Sequence, residues 1–384
     1  MNREDGIPAD QVISAVDNSI SSVRTRSLDF SFNELADMYA MGELHISPDF
    51  QRLFRWSEGA QSRFIESLLL ELPVPPIFLI EREDRIYELI DGLQRISSYL
   101  NFRGQLSLKD DDGSPLGPLT LSDCDIVPGL NGFTHHTLPR SLEIKLKRSY
   151  IRAEILRKES DPRLRYYMFK RLNTGGETLS EQEVRNATIR LMSNSFNEFI
   201  IRMSSDDNFK FCIATISPNQ WKQRFDQELV LRLFALKNAF EEYRHDVANF
   251  LTDYMESVSG VEHMTAFSYE AEESVFAKTF ALLRAIAEVS GIGEKIFGTT
   301  TRNGEPRGQF SVYHYEGLVL GVQSVIGSVD LENTELVARL AAVVRKGKGD
   351  PDFLRHTGGG KNSRIPLRER REYFASRFRA VLES

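Results

Sequence analysis

A strand-like run that ends in Asp-Gly and passes at once into a helix is the most chemically loaded stretch of the chain: Tyr87-Glu88-Leu89-Ile90-Asp91-Gly92-Leu93-Gln94-Arg95. Helix N-termini expose unpaired backbone N–H groups and a partial positive charge, so they attract anions, and a glycine there lets a phosphate come close to the backbone. Asp91 followed by Gln94 has the form of a capping box, an ordinary way to begin a helix. Capping leaves Arg95 unexplained. A cation in the first turn opposes the helix dipole unless an anion lies between them, and a guanidinium offers a planar donor fork suited to phosphate.

Two other clusters carry comparable residue types. The run Ile46-Ser47-Pro48-Asp49-Phe50-Gln51-Arg52-Leu53-Phe54-Arg55-Trp56 combines arginines, a glutamine and aromatics. It is either a surface loop anchored by Phe50 and Trp56, with Trp56 as a hydrophobic staple, or a second arm of a site in which Arg52 binds phosphate or carboxylate and Gln51 orients it. The run Arg171-Leu172-Asn173-Thr174-Gly175-Gly176 reads as a helix C-cap and turn, and Ser180 with Glu183 as a capping box; taken alone, neither needs a ligand.

The C-terminal segment is rich in Lys and Arg between Arg345 and Arg379. It is either a solvated basic helix or a phosphate-backbone contact for DNA through Arg355, Lys361 and Arg364, with Gly358 to Gly360 allowing close approach. Thr357-Gly358-Gly359-Gly360-Lys361-Asn362 is not a Walker A loop, because Arg355 stands where its first glycine belongs and Asn362 replaces the Ser/Thr.

Apolar spacing predicts the elements that position these residues. A helix over 31–44 carries Phe32, Leu35, Met38 and Tyr39 on one stripe, and extended chain follows over 45–50. Ser57 caps a helix to about residue 72, which Pro73, Pro75 and Pro76 terminate. Strands over 77–80 and 86–90 flank a charged hairpin loop, 81–85. An irregular insertion covers about 104–140, and a half-buried strand follows over 150–156. Beyond Asp161 the periodicity is helical: 161–172, 180–204, 219–243, 245–258, 271–289, 331–345 and 367–382. Leu93, Ile96 and Leu100 form the buried face of the helix after Asp91-Gly92. The fold class is α+β: a mixed α/β domain over 25–190 followed by an all-helical domain over 191–384.

Composition narrows the classes. With 384 residues, 48 basic against 55 acidic side chains and net charge -7, the chain is a soluble globular protein and does not coat nucleic acid through bulk positive charge. Two cysteines, Cys124 and Cys212, exclude a disulfide framework and a four-cysteine zinc site. The absence of a signal-type start or a long apolar run points to the cytoplasm and away from membranes.

The order Pro-x-Phe-Gln-Arg-x-x-x-Trp, Pro-x-Pro-Pro-Ile, Ile-Asp-Gly-x-Gln-Arg and Arg-Leu-Asn-Thr-Gly-Gly-x-x-Leu-Ser, between about 46 and 187, resembles the N-terminal domain of GmrSD-type, modification-dependent restriction endonucleases, the DGQQR-motif proteins of phage defence. The resemblance implies a ParB/sulfiredoxin-like fold whose DGQQR turn binds a nucleoside triphosphate with Mg²⁺ and supports its hydrolysis. Asp91, Gly92, Gln94 and Arg95 fall on the motif, Leu93 stands where the first Gln belongs, and Gln51, Arg52 and Asn173 belong to the same set of nucleotide-binding positions. In that reading Asp91 holds Mg²⁺ or orients water, Gln94 positions the nucleophile, and the N–H groups of Gly92 and Leu93 join Arg95 on the phosphates.

Members of the family often carry an HNH nuclease domain. None of the seven histidines stands in an Asp-His-x-x-Pro context with a downstream Asn. The chain therefore reads as the nucleoside-triphosphatase component of a bacterial anti-phage restriction system, acting with DNA and a partner nuclease subunit or as a homo-oligomer. Two alternatives stay open: a non-enzymatic DNA-binding sensor, and a self-contained ParB-like nuclease with Asp91 as metal ligand.

Overall fold

The computed structural model describes residues 24–46, 54, 56–106, 117–160, 180–189, 193–244, 246–260, 267–301 and 306–384, with four further positions between 11 and 16. Gln51, Arg52 and Asn173, and the helix predicted over 161–172, lie outside the described residues. The chain divides into two compact units, 1–178 and 179–384.

The first unit opens with a strand, β1 (Thr25–Ser31), ahead of the helix with which the sequence reading begins. Only Phe30 of β1 is buried, as suits a polar edge strand with little apolar alternation to betray it. Ser31 then caps α1 (Phe32–Ala40), its Oγ accepting from the Glu34 N–H at 3.1 Å. Strand β2 (Leu44–His45) opens the extended chain predicted over 45–50, of which 47–50 lie outside the described residues. Ser57 caps α2 (Glu58–Leu69), whose buried face includes the predicted Phe64, Ile65, Leu68 and Leu69.

Strand β3 (Ile77–Glu81), a short charged turn and β4 (Tyr87–Asp91) form the expected antiparallel hairpin, and α3 (Leu93–Phe102) follows. Within the irregular insertion, Pro128–Leu130 forms one 3-10 turn. A helix missed by periodicity, α4 (Arg140–Arg148), comes next because its charged sequence buries only Leu146. Strand β5 (Tyr150–Leu156) completes a mixed sheet in the order β1-β5-β3-β4-β2. In it β3 runs parallel to β5, and β2 parallel to β4. Helices α1, α2 and α3 cover the sheet through Phe32, Phe64 and Tyr99, the first pair of rings 5.9 Å apart and Phe32 to Tyr99 5.0 Å.

The second unit contains α5 (Glu181–Ile189), α6 (Ser195–Met203), α7 (Asp207–Ile213), α8 (Pro218–Lys222), α9 (Phe225–Asn238), α10 (Val247–Ser259) and α11 (Tyr269–Val289). It is not all-helical, since β6 (Gly298–Thr300) and β7 (Pro306–Phe310) pair as a small antiparallel sheet before α12 (Val312–Val322), α13 (Thr334–Gly347), α14 (Pro351–Leu354) and α15 (Arg364–Glu383). The predicted helix 219–243 breaks at Arg224, which adopts a left-handed φ of 59°. Helix α12 escapes periodicity for the opposite reason to α4: it is buried on nearly every face from His314 to Val322. Its Gly317 and Gly321 give room to Phe353 and Phe374: a Cβ at 317 would crowd the Phe353 ring, and one at 321 the Cβ of Phe374.

Candidate phosphate-binding turn

The turn at the end of β4 is shaped by one extra residue. Phe78 faces Asp91 but Leu79 faces Leu89, so the register shifts at Ile90 just before the helix. Such a bulge bends a strand and re-aims the side chain at its end. Gly92 then enters α3 with a left-handed φ of 99°, and Ile77 Cγ2 occupies the place a Cβ would take. Both facts demand glycine, whether or not a ligand approaches.

The capping box read from the sequence does not form. Gly92, not Asp91, is the N-cap of α3, and no side chain caps that helix. The left-handed glycine carries Asp91 one step too far back to reach the first-turn N–H groups. Its carboxylate instead meets Arg95, Nη2 lying 2.9 Å from Oδ2, while Nη1 donates to the Pro75 carbonyl at 2.9 Å. Arg95 is thus explained locally, by an ion pair one helical turn long and a bond to the proline-rich entry of β3. The Asp91 side chain retains 34% exposure and that of Arg95 13%, so the pair opens to solvent on the carboxylate side.

Gln94 also acts differently from a cap. Its Oε1 accepts from the Trp56 N–H at 3.1 Å, the Trp56 carbonyl accepts from Gln61 Nε2 at 2.8 Å, and Gln61 Oε1 accepts from Asn101 Nδ2 at 2.9 Å. This polar chain fixes Trp56 to α3. At the other end of the same segment, Leu44 and His45 pair with Tyr87 and Glu88 of β4. His45 is thus tied to the strand, and Trp56 to the helix, that flank the turn. Leu93, Ile96 and Leu100 are buried as predicted, so the Leu at the first Gln position serves the core.

The predicted DNA contacts belong to the second unit: Arg355 ends α14, Lys361 lies in the loop after it, and Arg364 opens α15. Arg355 pairs with Asp352, and Arg364 pairs with Glu241 and sits over the Phe240 ring at 5.9 Å, whereas Gly358, Gly359, Gly360 and Lys361 are exposed. Not every arginine of the basic segment is on the surface. Arg370 is fully buried, with Nη1 donating to the His356 carbonyl at 2.6 Å and the Lys361 carbonyl at 2.8 Å, and Nη2 donating to Glu316 Oε2 at 2.5 Å. Glu316 Oε1 also accepts from Arg232 Nη1 at 2.7 Å, and Arg232 Nη2 bonds Glu228, itself 3.4 Å from Arg185. Only the i,i+4 pair Glu228–Arg232 on α9 shows in the sequence; Arg185, Glu316 and Arg370 join this chain of alternating charge from α5, α12 and α15, at no helical spacing from it.

Among the described residues, no three His, Cys, Asp or Glu side chains come together to hold a metal, and no helix is long and apolar enough to cross a membrane. Residues 32–190 match the family model of the GmrSD restriction endonuclease N-terminal domain, so the chain carries a domain of that family. The match covers 159 of the 384 residues and is the link between this chain and restriction systems. No curated protein and no solved structure matches the chain.

Proposed function

We propose that the chain binds and hydrolyses a nucleoside triphosphate at the Asp91–Arg95 turn, as one component of a bacterial anti-phage restriction system that works on DNA with a separate effector nuclease. The observation that carries this reading is the Asp91–Arg95 pair itself: a carboxylate and a guanidinium, partly open to water, at the start of a helix that no side chain caps. These groups fit magnesium and phosphate respectively. Mg²⁺ is commonly held by one or two carboxylates together with substrate phosphates, so a single Asp91 is compatible with it. The ion would supply charge neutralisation at the transferring phosphate.

In this reading Asp91 and Arg95 part when ligand enters, Arg95 turning its fork to phosphate and Asp91 holding the cation or orienting water. The first-turn N–H groups, Leu93 among them, add a favourable dipole. Gln94 holds Trp56 to the first turn of α3. The exposed Gly358 to Lys361 loop, its base pinned by Arg370, supports a DNA-backbone contact in the second unit.

Thermal denaturation with a panel of triphosphates, with and without Mg²⁺ and DNA, tests the proposal, since a ligand that binds only the folded state raises the melting temperature. A rise for the wild type that disappears in Arg95→Ala is expected. A rise of equal size in that variant, or none in the wild type with any triphosphate, would overturn it.

A further inference from the structure

The opposite end of the sheet holds a second charged cleft, of about 420 Å³. It opens where β3 and β5, a parallel pair, both reach their carboxyl ends, the position outside a sheet at which open α/β folds often take ligands. From Asp91 it is separated by the length of β4, about 13 Å at ~3.3 Å per residue. Four cations line it, Arg26 from β1, Arg85 from the hairpin turn, and Arg157 and Lys158 following β5, against the carboxylates of Glu81, Asp84 and Glu159. Arg157 divides itself between Glu159, 3.3 Å from Nε, and Glu81 at 3.8 Å. Among the described residues no ion pair or side-chain hydrogen bond engages Arg26 or Arg85, and both are exposed.

The hairpin turn has an unusual backbone. Asp84 and Arg85 both adopt left-handed φ, 58° and 61°, without being glycine. Asn, Asp or Gly would relieve such a turn, and an arginine at its second position costs stability. The turn projects a carboxylate and a guanidinium side by side into the cleft. Single-sign charge would suit a bare anion; adjacent cations and carboxylates suit a ligand that carries phosphate next to hydroxyl donors. The volume lies within the range of small-molecule sites.

We propose that this cleft binds a nucleoside phosphate, free or at the end of a nucleic-acid strand, with Arg26 and Arg85 on the phosphate and the carboxylates of Asp84 and Glu159 accepting from sugar hydroxyls. The site is independent of the Asp91–Arg95 turn. Isothermal titration of the full chain with a nucleoside diphosphate, with pyrophosphate and with a short 5′-phosphorylated oligonucleotide tests it, in the wild type, in Arg95→Ala and, within the Arg95→Ala background, in the double variant Arg26→Ala/Arg85→Ala. The nucleotide or the oligonucleotide is expected to bind Arg95→Ala and to lose about tenfold or more in affinity in the double variant; which of the two binds names the source. Arg85→Gly separates ligand binding from folding: its melting temperature is expected to hold or rise as the left-handed residue is relieved, while affinity falls. Affinity unchanged in both cleft variants, all binding lost in Arg95→Ala alone, or pyrophosphate bound as tightly as the nucleotide would overturn the assignment.

Discussion

The guanidinium of Arg95 closes on the carboxylate of Asp91 at 2.9 Å across one turn of α3, and the same guanidinium holds the Pro75 carbonyl that leads into β3. One side chain thus ties the start of β3, the end of β4 and the helix together. Removing it has a structural as well as a binding consequence. Arg95→Ala is expected to lower stability by about 1 kcal/mol, a value kept small by the partial exposure of the pair. Asp91→Asn, which retains an acceptor for Nη2, is expected to cost less. Urea denaturation of the two variants measures the difference, and equal losses would show that the charge of Asp91 matters as much as the reach of Arg95.

Gly92 separates backbone demand from ligand demand. With φ at 99° and Ile77 Cγ2 where a Cβ would stand, Gly92→Ala carries both left-handed strain and a steric overlap. The expected loss is about 2–5 kcal/mol, from ~1–2 for the strain and ~1–3 for overpacking. The double variant Gly92→Ala/Ile77→Ala, measured against Ile77→Ala alone, recovers the steric part only. No recovery in chemical denaturation would assign the whole loss to φ.

The buried charge chain of the second unit makes a stronger demand. Glu316 is 3% exposed and accepts from both Arg232 and Arg370, so Glu316→Gln takes the one paired carboxylate from buried Arg370 and leaves Arg232 with Glu228 alone. Breaking a buried pair by removing one partner typically costs about 3–5 kcal/mol. The same change is expected to loosen the Gly358 to Lys361 loop, because Arg370 also binds the carbonyls at its two ends, His356 and Lys361. Limited proteolysis reads this directly: faster cleavage in 356–362 than in the wild type is expected, and an unchanged cutting pattern would separate the charge chain from the loop.

Much of this architecture is legible in the sequence, and what is not has physical causes. The hairpin of β3 and β4, the strand β5 and the faces of α2 and α3 follow from apolar spacing because each has one buried and one wet side. The edge strand β1 and the charged helix α4 bury too little to show a period, and α12 buries too much. At the turn, residue types singled out Asp91, Gly92, Gln94 and Arg95, but not the bonds they make: Asp91 pairs with Arg95, and Gln94 with Trp56. A capping box needs Asp91 at the N-cap, and that depends on a left-handed φ at Gly92 and a bulge at Ile90, neither of which leaves a local signal. Likewise Arg370 looks like any other basic surface residue until Glu316, 54 positions away, is placed beside it.

Two buried titrating groups sit together in the second unit and give it a pH dependence of predictable sign. Burial brings the Lys348 ammonium down to about 7, although Nζ donates to the carbonyls of Lys295 at 2.8 Å and Ile296 at 2.5 Å. Burial and the neighbouring Lys348 charge bring His314 down to about 3. Both groups bind protons more readily in the unfolded chain, so each favours the folded state at high pH and opposes it as pH falls. For Lys348 the loss accumulates between its unfolded value near 10.5 and about 7; for His314 it accumulates between 6.5 and about 3. Stability is therefore expected to fall in two separate windows on acidification. Urea midpoints measured from alkaline to mildly acidic pH test this, with Lys348→Met removing the upper window and leaving the lower one. A Lys348→Met variant whose stability still falls between pH 10 and pH 7 as steeply as the wild type would show that the upper window belongs to other groups.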